Sequence, residues 1–174
     1  MAANWTAFVS GDVLEASQLN GVVDNFSDIA IFNETQAAYT TGGTFTTGAW
    51  ETRVLNTTVV NNIASCTLAT NAVSLPAGTY YMVATAPAFQ VNNHQLRIFN
   101  STDSTEAALG CQLYNYSNVE ATTAAEVKGV VTITGTKSFV VEHRCSVTKA
   151  SQGFGTTMIW GNAVFATFEI RRIA

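Results

Sequence analysis

The sequence predicts an antiparallel all-β sandwich preceded by an N-terminal arm with one short helix. Three observations carry this reading. Charged residues are only 11% of the 174 residues, against about 25% in ordinary globular chains, while hydrophobic residues reach 47%. β-branched and aromatic residues are plentiful and Pro occurs twice, which separates this Thr/Ser/Asn/Gly-rich mixture from disorder. From Trp50 onward, short alternating apolar runs follow one another with turn residues between them and no helical stretch.

Residues 1–14 read as an extended or irregular arm with Trp5, Phe8, Val13 and Leu14 as apolar anchors. The period then changes. Leu19, Val22, Phe26 and Ile29 step by three, four and three, which predicts a helix from about Ala16 to Asn33. Asp12 and Glu15 lie near its start, where negative charge favours the helix dipole. A helix this short is marginal alone, so its stripe must pack on symmetry mates, on the β-domain or on another surface. Ile31 and Phe32 lie off the stripe, so more than one face is expected to be buried. Residues 40–49, TTGGTFTTGA, break both periodicities and read as a Thr/Gly linker. The expected organisation is an arm over 1–39, a linker over 40–49 and a head over 50–174.

In the head, Trp50–Leu55, Ile63–Ala69 and Ala72–Leu75 read as strands. Pro76-Ala77-Gly78 is a turn, and Thr79–Ala86 alternates Tyr81, Val83 and Thr85 against Tyr80, Met82 and Ala84. Pro87 predicts a bend or an edge, because it cannot donate to a ladder. Gln95–Phe99 and Leu109–Tyr116 flank the polar loop 100–104. Glu126–Thr134 and Ser138–His143 enclose Thr134-Gly135-Thr136-Lys137, which reads as a hairpin turn. Val164–Ile173 is the last run. Eight or nine strands at this spacing, without intervening helices, predict an antiparallel jelly-roll sandwich.

Composition also narrows the function. The net charge is −4 and the longest cationic cluster is Arg171-Arg172, so no positive footprint for nucleic acid exists. No run of about 18 apolar residues occurs, so no membrane-spanning helix is expected. The opening MAANWTAFVSGD has neither the basic region nor the apolar core of a signal peptide. Six N-x-S/T sequons, at Asn4, Asn25, Asn33, Asn56, Asn100 and Asn115, then read as a by-product of composition. A surface so poor in charge suggests that identical partners cover much of it.

Catalytic, metal and cofactor patterns are missing. Cys66, Cys111 and Cys145 have no CxxC or Cys/His metal spacing and read as free buried thiols. His94 and His143 belong to no known nucleophile or zinc motif. On a strand His143 and Cys145 share a face and Arg144 does not, but residues two apart are too distant for a nucleophile–base bond. The carboxylates Asp103, Glu106, Glu120, Glu126, Glu142 and Glu169 form no evident pair, and Asp103 lies in a polar loop without a calcium pattern. Tyr114, Tyr116, Phe154 and Trp160 flank predicted loops, where aromatics pack in cores and interfaces or stack on sugars. Asp103, Tyr114, Tyr116 and Phe154 are the candidate surface-loop contacts. No catalytic, cofactor or metal site is expected.

Two segments resemble known proteins. Trp5-Thr6-Ala7-Phe8 through Gly11-Asp12-Val13-Leu14-Glu15-Ala16-Ser17-Gln18-Leu19-Asn20 is similar to the opening "W-x-x-F…G-x-V-L-x-A-S-x-L-N" of phage virion proteins. Leu75-Pro76-Ala77-Gly78-Thr79-Tyr80-Tyr81, Ala84–Phe89, His94–Ile98 and Val164–Ile170 resemble a phage structural domain like the jelly-roll heads of complement-type and tumour-necrosis-factor-like trimers. The resemblance implies a homotrimer in a virion assembled in the host cytoplasm. It implies a capsid decoration or cement protein bound to the major capsid protein or another virion protein, with a tail- or head-fibre tip as the alternative. It implies that Trp5, Phe8, Leu14, Leu19, Val22, Phe26 and Ile29 form an arm interface. Tyr81, Phe165 and Phe168 would pack about the threefold axis.

Overall fold

The computed structural model describes residues 28–157 and 159–174. The strands are β1 (Ile29–Gln36), β2 (Glu51–Thr52), β3 (Thr57–Asn61), β4 (Thr67–Ala69), β5 (Ala72–Leu75) and β6 (Gly78–Phe89). They continue with β7 (Asn92–Asn100), β8 (Thr105–Leu109), β9 (Leu113–Asn115), β10 (Thr122–Ile133), β11 (Lys137–Cys145) and β12 (Ala163–Arg172). One sheet has the order β10-β6-β12-β1-β3. The other has the order β4-β5-β11-β7-β8, with β2 added on β11 and β9 on β7. Every ladder is antiparallel. The all-β jelly-roll sandwich read from the sequence is the observed fold.

Strict alternation generates the core. In β6, Tyr80, Met82, Ala84 and Ala86 are buried while Tyr81, Val83 and Thr85 are partly exposed on the opposite face. Phe32, Met82, Phe168 and Ile170 from the first sheet meet Val73, Leu75, Leu96, Ile98, Phe139 and Val141 from the second. A second, smaller cluster joins Phe45, Ala88, Val91 and Cys145 at one end.

Turns and close approaches follow local chemistry. Thr70 and Asn71, both at positive φ, make the two-residue turn between β4 and β5, a type I′ geometry that matches strand twist. The Tyr80 hydroxyl donates to Pro76 O at 2.8 Å and closes the Leu75–Tyr80 corner. Gly129 faces Ala108, where an added Cβ would lie 2.8 Å from the alanine Cβ, so glycine lets β10 of one sheet approach β8 of the other. Pro87 is tolerated inside β6 because β12 pairs no farther than Thr85. Phe89 N donates to Gly153 O on that side, and by alternation Pro87 N faces the same side, beyond the end of β12.

Four expectations need correction. The helix read to Asn33 does not occupy residues 29–33, which form most of β1. Eight register pairs with β12 and further pairs with β3 override a weak local helical preference. The helix over residues 16–27 lies outside the described residues. The 40–49 stretch is not a free tether: Phe45 is 0% exposed and bridges Lys149, so residues 28–49 pack with the head. Thr134–Lys137 turns the chain from one sheet into the other instead of closing a hairpin, since β10 and β11 belong to different sheets. The runs Trp50–Leu55, Ile63–Ala69 and Leu109–Tyr116 are each shortened or split, at Arg53, at residues 62–66 and at residues 110–112.

Phe168 fills the centre of the sandwich. Replacing it with alanine is expected to cost about 3–5 kcal/mol in urea unfolding. A loss below about 1 kcal/mol would contradict its central placement.

Candidate functional site

Two regions stand out from ordinary core and surface. The first is the outward face of the five-stranded sheet. Its register sets cross-strand rows: Ile29, Arg171, Tyr81 and Val130, then Ile31, Glu169, Val83 and Lys128, then Asn33, Thr167, Thr85 and Glu126. The four charges in these rows neutralise one another in neighbouring pairs on one strand face. Arg171 Nε lies 2.7 Å from Glu169 and Lys128 Nζ 2.8 Å from Glu126. What remains is an apolar and neutral surface in which Val130 is 60% exposed. At its β12 end, a groove of about 460 Å³ is lined by Pro87, Thr122, Trp160, Val164 and Phe165, with Trp160 89% exposed.

The second region is a buried polar chain between the sheets. Alternation in β1 that points Ala30 and Phe32 inward also points Glu34 inward. Arg53 follows β2 and is held to β11 by its own N–H, which donates to Val141 O at 2.8 Å. Arg53 Nη2 donates to Glu34 Oε2 at 2.9 Å, Phe165 O at 2.9 Å and Phe154 O at 3.2 Å. The guanidinium lies 4.3 Å above the Phe154 ring, which stacks on Phe45 with centroids 4.2 Å apart. Both Glu34 and Arg53 are buried. Burial pulls Arg53 down to about 10 against the opposing pull of Glu34. Burial also raises the Glu34 carboxyl, with Arg53 countering it. At neutral pH Arg53 stays cationic, so the pair is an inter-sheet clamp.

The chain continues through histidines. His94 Nδ1 and His143 Nε2 share a hydrogen bond of 3.0 Å, and His94 Nε2 lies 2.6 Å from Thr123 Oγ1. Asn115 Nδ2 donates to Thr123 Oγ1 and to Ala88 O, while its Oδ1 accepts from Val91 N. His143 packs 4.8 Å from the Phe45 ring. Burial holds His94 near 4. Burial, then Arg53, then His94 push His143 well below its ordinary value. Both imidazoles are therefore neutral at neutral pH.

His143 and Cys145 do share the inward face, with Arg144 turned out to solvent. The Cys145 thiol is directed at the carbonyls of Val147 and Thr46, and burial pushes it up to about 11. Burial likewise raises Cys66 to about 11. Cys111 is exposed, against the expectation of three buried thiols, because it follows β8 in the segment that leaves the sheet edge. All three are free.

The expected contact residues separate. Phe165 and Phe168 are 3% and 0% exposed and face the interior of their own chain, so neither can pack about a threefold axis; alternation in β12 turns them inward. Tyr81 does lie on the outward face. Phe154 is not a free loop aromatic but half-buried between Arg53 and Phe45. Tyr114 and Tyr116 are about half exposed, with ring centroids 6.2 Å apart. Asp103 is exposed and bonded to Lys137 and Asn100, and Lys137 holds its carboxyl below the usual range. Ile29 is partly exposed at the start of β1. Trp5, Phe8, Leu14, Leu19, Val22 and Phe26 lie outside the described residues. Sequence reasoning missed Glu34, Arg53, Asn115 and the pairing of the two histidines. The available signal was phase: Glu34 is in step with Ala30 and Phe32, and Arg53 with Leu55.

Comparison with known proteins places the fold. No protein-family model matches the chain, and no curated protein matches it. Solved structures do. The globular domain of zebrafish complement 1qA protein is 16% identical and aligns over 84% of this chain and 95% of its own, with a TM-score of 0.51. Eiger TNF from S. frugiperda is 13% identical over 84% of this chain and 92% of its own, with a TM-score of 0.52. Murine APRIL at pH 8.0 is 8% identical over 82% and 97%, with a TM-score of 0.51. The chain thus has the jelly-roll fold of complement 1q-type and TNF-type heads.

Two outcomes are expected from the buried chain. Arg53→Met should cost about 3–5 kcal/mol, because it strands the Glu34 carboxylate. Glu34→Gln in the same chain should recover part of that loss, and strict additivity in urea unfolding would exclude the clamp. An imidazole whose folded value lies below its unfolded value of about 6.5 binds fewer protons in the native chain than in the unfolded one. Stability is fully present above pH 6.5 and falls as pH drops toward 4. His94 alone should contribute roughly 3 kcal/mol of that fall, with His143 adding to it and the raised Glu34 acting in the opposite sense. A flat urea midpoint between about pH 7 and about pH 4.5 would contradict the buried neutral pair.

Proposed function

We propose that the chain is a homotrimeric, non-catalytic structural head of a phage particle, acting as a capsid decoration or cement protein. The observation that carries self-association is the outward face of the five-stranded sheet. Its charges are internally paired, and Tyr81, Val83, Val130, Ile29 and Ile31 are left without partners in the single chain. A face of this kind suits contact with copies of itself, because no unmatched charge has to be desolvated. The trimer is further supported by the complement- and TNF-type fold, and the virion by the resemblance of Trp5–Asn20 to phage openings. Three N-terminal segments engaging neighbouring capsid subunits at once would raise avidity without any stronger single contact. No side-chain set for catalysis supports an enzyme reading: the His94–His143 pair is buried and the Cys145 thiol is protonated.

Purified protein should elute as a trimer, and Val83→Glu should yield a folded monomer. A wild-type monomer would refute the self-association, while a Val83→Glu trimer would move the interface elsewhere. Capsids stripped of the protein should lose thermal stability; unchanged stability would remove the decoration reading. The alternative is a fibre tip binding host glycans. It is favoured by the exposed Tyr114–Tyr116 pair among Asn92, Asn115 and Ser117. Glycan binding lost on Tyr114→Ala would select it.

A further inference from the structure

Three polar atoms at the junction of the clamp and the histidine pair have no partner among the described residues: Arg53 Nε, Arg53 Nη1 and His143 Nδ1. The side chains that carry them are 1% and 0% exposed. They also stand close together. Arg53 is bonded opposite Val141, which sets it diagonal to His143 on the same inward face. Both pack against the Phe154 ring. Buried polar groups in folded proteins are almost always satisfied, by protein or by ordered solvent. The two guanidinium atoms can only donate, so a group that completes this set must accept from Arg53.

We infer that one buried water bridges Arg53 and His143, accepting from the guanidinium Nε–H and Nη1–H and donating to His143 Nδ1. The direction of every later bond follows. With Nδ1 accepting, the His143 proton sits on Nε2 and is donated to His94 Nδ1. His94 then carries its own proton on Nε2 and donates to Thr123 Oγ1, which also accepts from Asn115 Nδ2. The chain runs one way, from a buried cation to a hydroxyl. It ties β2, β7, β10 and β11 to the Phe45–Phe154 stack.

A halide at the same point would require the reverse. His143 would need a proton on Nδ1, His94 would donate from Nδ1, and Thr123 would donate to His94 Nε2. Charge decides between the two. Glu34 already neutralises Arg53, so an anion would leave net negative charge in a dry interior, whereas water adds none. Three convergent polar partners are what a buried water ordinarily holds.

The test uses the full chain and is independent of its oligomeric state. Long-range 1H–15N spectra of 15N-histidine protein at about pH 7.5, above the ordinary imidazole range, should show both His94 and His143 protonated on Nε2. Protonation of His143 on Nδ1 would overturn the proposal. Crystals grown separately in chloride and bromide should each show one peak bonded to Arg53 Nε, Arg53 Nη1 and His143 Nδ1, without bromide anomalous signal. A bromide signal there, or no peak, would also overturn it.

Discussion

The interaction on which the rest of the structure depends is the buried ion pair between Glu34 and Arg53. One partner belongs to the five-stranded sheet and the other is bonded to the seven-stranded sheet, so the pair crosses the sandwich. Arg53 Nη2 also gathers Phe154 O and Phe165 O, which places the loop before β12 and the start of β12 itself. Such a pair contributes little net stability compared with a well-packed apolar substitute, because two charges must leave water. Its effect is on which arrangement forms. Any register that slips β1 by one residue turns Glu34 outward and leaves Arg53 buried without a counter-charge.

The histidine pair extends that constraint toward the end of the sandwich. His143 sits among Arg53, Phe45 and His94, so its neutral state is imposed from three directions. The same packing that excludes water from the imidazoles brings the 40–48 and 149–155 stretches together through Phe45, Phe154 and the Gly42–Gly155 hydrogen bond. These stretches carry no long strand of their own. Their order is borrowed from two rings and a guanidinium packed beneath them.

The outward sheet face obeys a different economy. Its charged residues are matched within a strand, two positions apart, so the face needs no partner to cancel charge. Its apolar members occupy alternate positions of β1, β6 and β10. That separation of a self-neutralised flat face from a cation-clamped interior is what makes the head suited to association and unsuited to chemistry.

The alternation of Tyr80–Ala86, the Leu75–Tyr80 corner, the apolar runs of β10 and β12, and the shortage of charge were legible in the sequence, because period-two patterning and turn chemistry are local. They were enough to determine an antiparallel jelly-roll sandwich. Tertiary structure alone decided that residues 29–33 are strand, since the pairing of β1 with β12 joins residues more than a hundred positions apart. It also decided that residues 134–137 change sheets, that Phe165 and Phe168 point inward, and that Glu34, Arg53, His94 and His143 meet. No local pattern encodes which buried charges and imidazoles face one another; that is set by the stacking of two sheets.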